Sequence, residues 1–407
     1  MMLALQYKNS PVKYLTARGV TSTRIGSRFT SAVAGNLAPL QLTQLPVPDL
    51  PGRGWVRLRP LLSGICGSDL AMLTGRSSPY LTPLVSTPFV PGHEVVAVTL
   101  DDAPDLPKGS RVVVDPVLSC AARGLRLCPA CAEGRQSRCI AVTSGGLAPG
   151  LQTGYCGDTG GGWGKQMVAH RSQLHVVPEG VRDELAVLAE PLACAIHAVR
   201  RVALPAGATV VVIGAGTVGL LTILALREYT EVGGIHVVAK HRHQQVRARQ
   251  LGATEVIEPA RAARAVRRLT GGSLESPVMG AEYLLGGADV TFECTGGGGL
   301  DTALRLTRAG GTVVLSGMPS TGVDLTPLWF RELHLVGAYA TDSGGVPEAD
   351  GGRQGDFDRA LDLVGRAPLD GFVDARYPLT RWREAVGHAA DAGRLGTVKV
   401  AFDLAEI

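Results

Sequence analysis

The stretch "ATVVVIGAGTVGLLTILALRE", residues 208–228, decides the fold. It opens on a β-branched apolar run, turns through three glycines and continues with helical apolar spacing. Gly214 permits a tight turn, Gly216 lets backbone approach a pyrophosphate, and Gly219 allows a helix to pack close to the preceding strand. The first free N–H groups of that helix, those of Thr217 and Val218 among them, would face the anion. The glycine pattern alone is weak; a strand before it and a helix after it make it specific.

The surrounding sequence repeats the alternation. Runs of strand character ("GIHVVA", "TEVIE", "ADVTFECTG", "GTVVLSG") are separated by helical ones ("QQVRARQLGA", "ARAARAVRRL", "LDTALRLTRAG"). That order predicts βαβ units and a doubly wound parallel sheet. In this fold the second strand normally ends in a carboxylate for the adenosine ribose. Here "GIHVVA" ends at Ala239 and runs into Lys240, His241, Arg242 and His243. A 2′-phosphate would be drawn to Lys240 and Arg242, which favours NADP(H) over NAD(H); a solvated basic turn is the alternative.

Upstream the texture differs. Residues 37–115 hold short β-rich runs, "GWVRLRPLLSGI" and "RVVVDPV", between Pro/Gly punctuation, and 144–164 is a glycine-rich loop. "DELAVLAEPLACAIHAVRRV" has helical apolar spacing. "MLALQY" alternates like a first strand. After Tyr339 a helix at "DFDRALDLVG" and a strand at "TVKVAFDL" are expected to rejoin the first domain. This gives a β-rich domain over 1–190, a dinucleotide-binding domain over 191–338, and a return segment over 339–407 that completes the first. Two segments, 9–36 and 271–287, interrupt the pattern and are expected to be solvated loops, cleft-lining segments or subunit contacts.

With 407 residues, 45% hydrophobic and 19% charged, and a net charge of +4, the chain reads as a globular protein rather than a polycation. No uncharged apolar run of about 18 residues or more is present to span a membrane. Residues 1–48 hold five Lys/Arg and no acid, superficially like a transit peptide, but the strand-like start points to a cytoplasmic protein. A reducing compartment makes clustered cysteines metal ligands before disulfides.

Four of the eight cysteines, Cys120, Cys128, Cys131 and Cys139, fall in "CAARGLRLCPACAEGRQSRC". Elsewhere "GICGSDL" and "PGHEVV" supply Cys66, His93 and Glu94. Thiolate, imidazole and carboxylate together suit a borderline ion such as Zn²⁺. Each alone also reads as a buried thiol, a satisfied histidine or a surface acid. Arg123, Arg126, Arg135 and Arg138 form a thin basic stripe near the cysteines, too thin to support nucleic-acid binding.

Taken in order, "MLALQY", "GICGSDL", "PGHE", the cysteine cluster, "EPLACAIHA", "GAGTVG" and "ECTG" resemble the zinc-dependent medium-chain dehydrogenase/reductase family of alcohol, sorbitol and threonine dehydrogenases. The resemblance covers nearly the whole chain. It implies an α/β protein, a GroES-like β-rich catalytic domain with an inserted Rossmann domain, and a substrate cleft between them. It implies hydride transfer between a nicotinamide cofactor and an alcohol, polyol or carbonyl. It assigns Cys66 and His93 to a catalytic zinc, with Glu94 and Glu190 as carboxylates that exchange with water or substrate there. Cys120, Cys128, Cys131 and Cys139 would hold a closed structural zinc, although the first gap is longer than usual. Ser68 would pass the alcohol proton outward. Many relatives continue that relay with a histidine where this chain has Ala71, which puts the proton path in doubt and leaves a non-catalytic dinucleotide-sensing protein as the alternative. Relatives are dimers or tetramers, so a homo-oligomer without nucleic-acid or membrane partners is expected. Cys194 and Cys294 read as buried small apolar residues and His197 as a packing residue, while Cys156 has no role in the pattern.

Overall fold

The alternating N-terminal run folds as β1 (Met2–Tyr7), which encloses Ala4 and Leu5 and pairs antiparallel with β2 (Leu40–Leu45). The computed structural model describes residues 1–8, 10–21, 30–319, 322–342 and 354–405. The chain divides into two compact units, Met1–Glu190 with Ala340–Ile407, and Pro191–Tyr339.

The segment between β1 and β2 is not a solvated loop where it is described. It forms α1 (Pro11–Thr21) and α2 (Thr30–Asn36); positions 9 and 22–29 lie outside the described residues. Ala34 packs in one core with Trp382, Ala385 and Val386, and Thr21 Oγ1 donates to the Thr74 carbonyl at 3.1 Å. Small side chains let the inserted helix approach the last helix of the chain closely, so it buries apolar surface that a loop would leave wet.

β3 (Trp55–Gly64) is the spine of the first unit. It pairs antiparallel with β4 (Val95–Thr99), which pairs with β5 (Arg111–Val114); β6 (Met167–His170) lies on β3 and β7 (Leu174–Val176) on β5. Two short helices carry chemistry, α3 (Gly67–Leu73) and α4 (Pro129–Ala132). The helical spacing over 183–202 is realised as two helices, α5 (Asp183–Ala186) and α6 (Ala189–Arg200). Pro191 has no N–H for the Val187 carbonyl, so one continuous helix would break there; in the first turn of a new helix no such bond is needed.

In the second unit β8 (Thr209–Ile213), α7 (Thr217–Tyr229), β9 (Gly234–Val238), α8 (Arg242–Gln250), β10 (Glu255–Ile257) and α9 (Ala262–Thr270) follow in βαβ order. The 271–287 segment contains an antiparallel hairpin, β11 (Ser273–Glu275) and β12 (Tyr283–Leu285), whose Leu284 is enclosed beside Ala265, Val266 and Leu304. Then come β13 (Ala288–Glu293), α10 (Gly299–Leu306), β14 (Thr307–Leu315), α11 (Thr326–Phe330) and β15 (His334–Gly337). The sheet is parallel, ordered β10-β9-β8-β13-β14-β15. The order reverses direction at β8, and ligands of such sheets bind beyond the strand ends at that reversal.

The return segment supplies α12 (Asp356–Val364), β16 (Val373–Pro378), α13 (Trp382–Leu395) and β17 (Lys399–Asp403). β17 pairs antiparallel with the end of β3, Ala401 opposite Gly64. The seven-stranded sheet therefore closes only when the two ends of the chain meet.

Candidate active site

Strand register assembles the first cluster. Cys66 lies one residue past Ile65 at the end of β3 and caps α3; its N–H donates to Asp69 Oδ2 at 2.9 Å. His93 and Glu94 lead into β4, whose Val95 stands opposite Ser63, and the Gly64 N–H donates to the Glu94 carbonyl at 2.9 Å. One donor atom from each of Cys66, His93 and Glu94 falls within 4.8 Å of the others. His93 and Glu94 are buried and Cys66 is half-buried. Glu190 is buried but stands outside this set of three.

Fully enclosed Asp69 is the hub behind the cluster. Its Oδ1 lies 3.5 Å from His93 Nδ1 and accepts the Tyr155 hydroxyl at 3.3 Å. Burial opposes protonation of His93, yet Asp69 and Cys66 overcome it and hold the imidazole well above its usual pKa. A carboxylate facing one ring nitrogen fixes the ring and leaves the other for a cation. Burial first, then Asp69, pushes Tyr155 well above its ordinary value, against a hydrogen bond to Ser68 that works the other way. Ser68 thus has a buried phenol beside it, in a chain that has Ala71 in place of a relay histidine.

Lys399 is buried as well. Its ammonium sits against Glu94 Oε2 and donates to the Ile65 carbonyl at 3.2 Å. Desolvation works against its charge, but Glu94, Cys66 and Glu190 outweigh that and raise its pKa.

The second cluster is all sulfur. Donor atoms of Cys120, Cys128, Cys131 and Cys139 lie within 4.8 Å of one another, with Cys120 Sγ 3.6 Å from Cys139 Sγ. A tetrahedron with Zn–S distances of about 2.3 Å places sulfurs about 3.8 Å apart, so this spacing fits a metal; a disulfide needs about 2.05 Å. All eight cysteines are free. The N–H groups of Cys128 and Ala141 point at Cys120 Sγ and Cys139 Sγ, both at 3.4 Å. At Cys128 burial opposes the thiolate, but bonds from the Cys131 and Ile140 backbone prevail and bring it down to about 6. Burial pushes Cys131 up.

The long first gap has a job here. Arg123, within it, is buried and donates to the carbonyls of Leu118, Ser144, Leu147 and Gly150 at 3.1, 3.0, 3.2 and 2.6 Å. It is therefore no part of a basic surface stripe. Cys156 proves to be core, packed with Trp55 and Leu118, while Cys194 and Cys294 are half-buried rather than enclosed. His197 is buried.

In the second unit Gly214 adopts φ +93°, and a Cβ on Gly219 would lie 2.0 Å from the Gly214 carbonyl oxygen. Both positions exclude a side chain. Gly216 caps α7, whose first turn holds Thr217 and Val218. Beyond β9, Lys240 and Arg242 are exposed and the rings of His241 and His243 stack at 5.9 Å. Burial, Lys240 and His243 all lower the His241 pKa.

Residues 52–179 match the alcohol dehydrogenase GroES-like domain and residues 217–364 the zinc-binding dehydrogenase domain. A sorbitol dehydrogenase from Arabidopsis thaliana is 33% identical over 293 residues, 70% of this chain and 73% of that protein. The chain belongs to the zinc-dependent medium-chain dehydrogenase/reductase family. It is therefore an oxidoreductase of the zinc-containing alcohol dehydrogenase type. An L-idonate 5-dehydrogenase from Vitis vinifera is 30% identical over 70% of this chain and 73% of that one. Among solved structures, a candidate zinc-binding dehydrogenase from Sinorhizobium meliloti 1021, bound to NADP, superposes with a TM-score of 0.70 at 25% identity, covering 99% of both chains. Among the described residues no helix is long and apolar enough to cross a membrane.

Sequence reasoning passed over Lys399, Tyr155 and the hub role of Asp69. The aspartate was visible inside "CGSD". Lys399 gave a faint signal, a charge between two valines at the head of the strand "KVAFD".

Proposed function

We propose that the chain catalyses reversible hydride transfer between NADP(H) and a secondary alcohol or polyol, or the corresponding carbonyl. The observation that carries this reading is the convergence of Cys66, His93 and Glu94 in a member of an oxidoreductase family. Cys66 and His93 would hold a catalytic zinc, with the Glu94 and Glu190 carboxylates available to it. The four cysteines would hold a second, closed zinc that serves the lobe. When bound, the first metal supplies a Lewis acid for the carbonyl or alkoxide oxygen.

The chain's own residues do the rest. Asp69 fixes the His93 ring. Ser68 takes the alcohol proton, and the Tyr155 hydroxyl beside it offers the next stop that Ala71 cannot. Gly214, Gly216 and Gly219 clear space for the pyrophosphate, with the N–H groups of Thr217 and Val218 facing it. The polyol dehydrogenases among the relatives point to hydroxylated carbon chains as the substrate class.

The cofactor preference is tested by Lys240→Ala with Arg242→Ala. Each lost charge-assisted phosphate bond is worth about 1.5–3 kcal/mol, so the pair should weaken NADPH binding at least about 100-fold and NADH binding far less. Titration of cofactor fluorescence reads both, and equal losses would remove NADP(H) from the reading.

A further inference from the structure

We propose that α1, the helix inserted after β1, is a clamp on the rear of α3, and that Tyr14 is the positioning residue through which it acts. The clamp fixes the direction in which α3 presents Cys66, Ser68 and Asp69. This goes beyond the hydride-transfer reading above and rests on it for the role of those three groups.

α3 carries its chemistry at one end. Cys66 caps it, and Ser68 and Asp69 stand in its first turn. Seven residues span only about 10 Å, too short a helix to hold its own shape in water. At the front, the Asp69 carboxylate accepts from the Cys66 N–H at 2.9 Å and from the Tyr155 hydroxyl at 3.3 Å. A rod held at one end can still swing, so its direction depends on what holds the other.

The rear is held by α1. Beyond Leu73 the chain turns back on the helix, with the Arg76 and Ser77 N–H groups both donating to the Ala71 carbonyl at 2.8 and 3.2 Å. The carbonyls of that turn receive hydroxyls from α1, Tyr14 to Ser77 at 2.6 Å and Thr21 to Thr74 at 3.1 Å. The two donors lie seven positions apart, on one face of the helix. Thr21 shares its proton with the Ala17 carbonyl at 2.9 Å, so Tyr14 has the firmer hold. The Tyr14 oxygen itself accepts from Arg18 Nη1 at 3.1 Å, and a hydroxyl that accepts from a cation donates more strongly. Gly75 lets the two segments touch. It adopts φ +70°, and a Cβ there would lie 2.7 Å from the Tyr14 carbonyl oxygen and 2.9 Å from the Arg18 nitrogen.

Apolar burial does not account for this arrangement. Within α1 only Ala17 and Thr21 are buried, while Val12 and Leu15 stand 75% and 65% exposed. A helix kept for packing alone would turn those two side chains inward. What α1 sets against the rear of α3 is a pair of hydroxyl donors and a close backbone contact.

The test is Tyr14→Phe in the metal-loaded protein, which removes one hydroxyl and keeps the ring. Loss of such a bond should quicken hydrogen exchange at the amides of residues 70–77 about two- to tenfold and leave the second unit unchanged. With sorbitol or xylitol and NADP⁺, kcat per folded molecule should fall about two- to tenfold while the KM for NADP⁺ holds. Thr16→Ala, on the exposed side of α1, should leave all of these at parent values. A purely structural role would lower the unfolding midpoint and leave kcat per folded molecule alone. That result overturns the proposal, as does unchanged exchange. Should Tyr14→Phe fail to fold, Thr21→Val should show the same effects more weakly, and Thr21→Ser, which keeps the hydroxyl, should not; equal behaviour of the two overturns the proposal. Should the unmodified protein oxidise neither polyol, the functional reading fails on its own, and exchange in residues 70–77 still decides the clamp.

Discussion

The four-cysteine lobe and the Cys66 cluster each gather their donors within 4.8 Å, and they do so by opposite routes. The lobe draws its sulfurs from 20 consecutive residues. Its neighbours are backbone N–H groups and a guanidinium, Arg123, that spends its hydrogen bonds on carbonyls. The Cys66 cluster draws a thiol, an imidazole and a carboxylate from two strand ends, with Asp69 behind it and Lys399 beside it. A cluster of like donors with every position filled has only stability to contribute. A cluster of three mixed donors leaves a fourth position where chemistry can occur.

The sharpest way to break this contrast is Cys66→Ser. Loss of the Lewis acid forfeits several kcal/mol of transition-state stabilisation, so turnover should fall at least about 10³-fold. Thermal unfolding should shift much less than in the lobe variant, and an equal shift would erase the distinction. Cys128→Ser is the mirror experiment. It removes the cysteine whose thiol is brought down to about 6 and should cost one metal equivalent. Losing the lobe's metal should destabilise the first unit by roughly 3 kcal/mol, about 6–12 °C in unfolding midpoint. Turnover per folded molecule should hold, as metal analysis and calorimetry beside an activity assay would show.

A smaller effect tests whether pH sensitivity resides outside both clusters. Burial pushes buried Asp115 up from its ordinary 3.8 to about 6, against bonds from Val117 and Thr341 and the charge of His175. Between those two values the folded chain keeps a proton that the unfolded chain has released. Stability therefore falls as pH rises from about 4 to about 6 and stays lower above that. Asp115→Asn should flatten this slope and raise stability at pH 7 by roughly 1–3 kcal/mol. Denaturant melts at several pH values would read it; an unchanged slope would place the titration elsewhere.

Much of the molecule was legible because its determinants are local. Gly214, Gly216 and Gly219 sit within six residues, and Gly219 excludes a side chain because of the Gly214 carbonyl in the same turn. The second unit's strands and helices come as short contiguous runs, such as Thr209–Ile213 and Thr217–Tyr229, that a local window displays. That part of the 9–36 segment is not solvated loop was not legible, because Ala34 finds its partners at Trp382 and Val386, at the far end of the chain.

The sequence by itself determined the family and the dinucleotide fold, because the motifs that carry them are each written within a few neighbouring residues. Only the tertiary structure decided what the clustered donor side chains face. Tyr155 meets Asp69 across 86 positions, and Lys399 meets the Ile65 carbonyl across 334. No local period marks such partners. For Lys399 the partner is set by β17 pairing with β3, and burial makes the ammonium the counter-charge of Glu94.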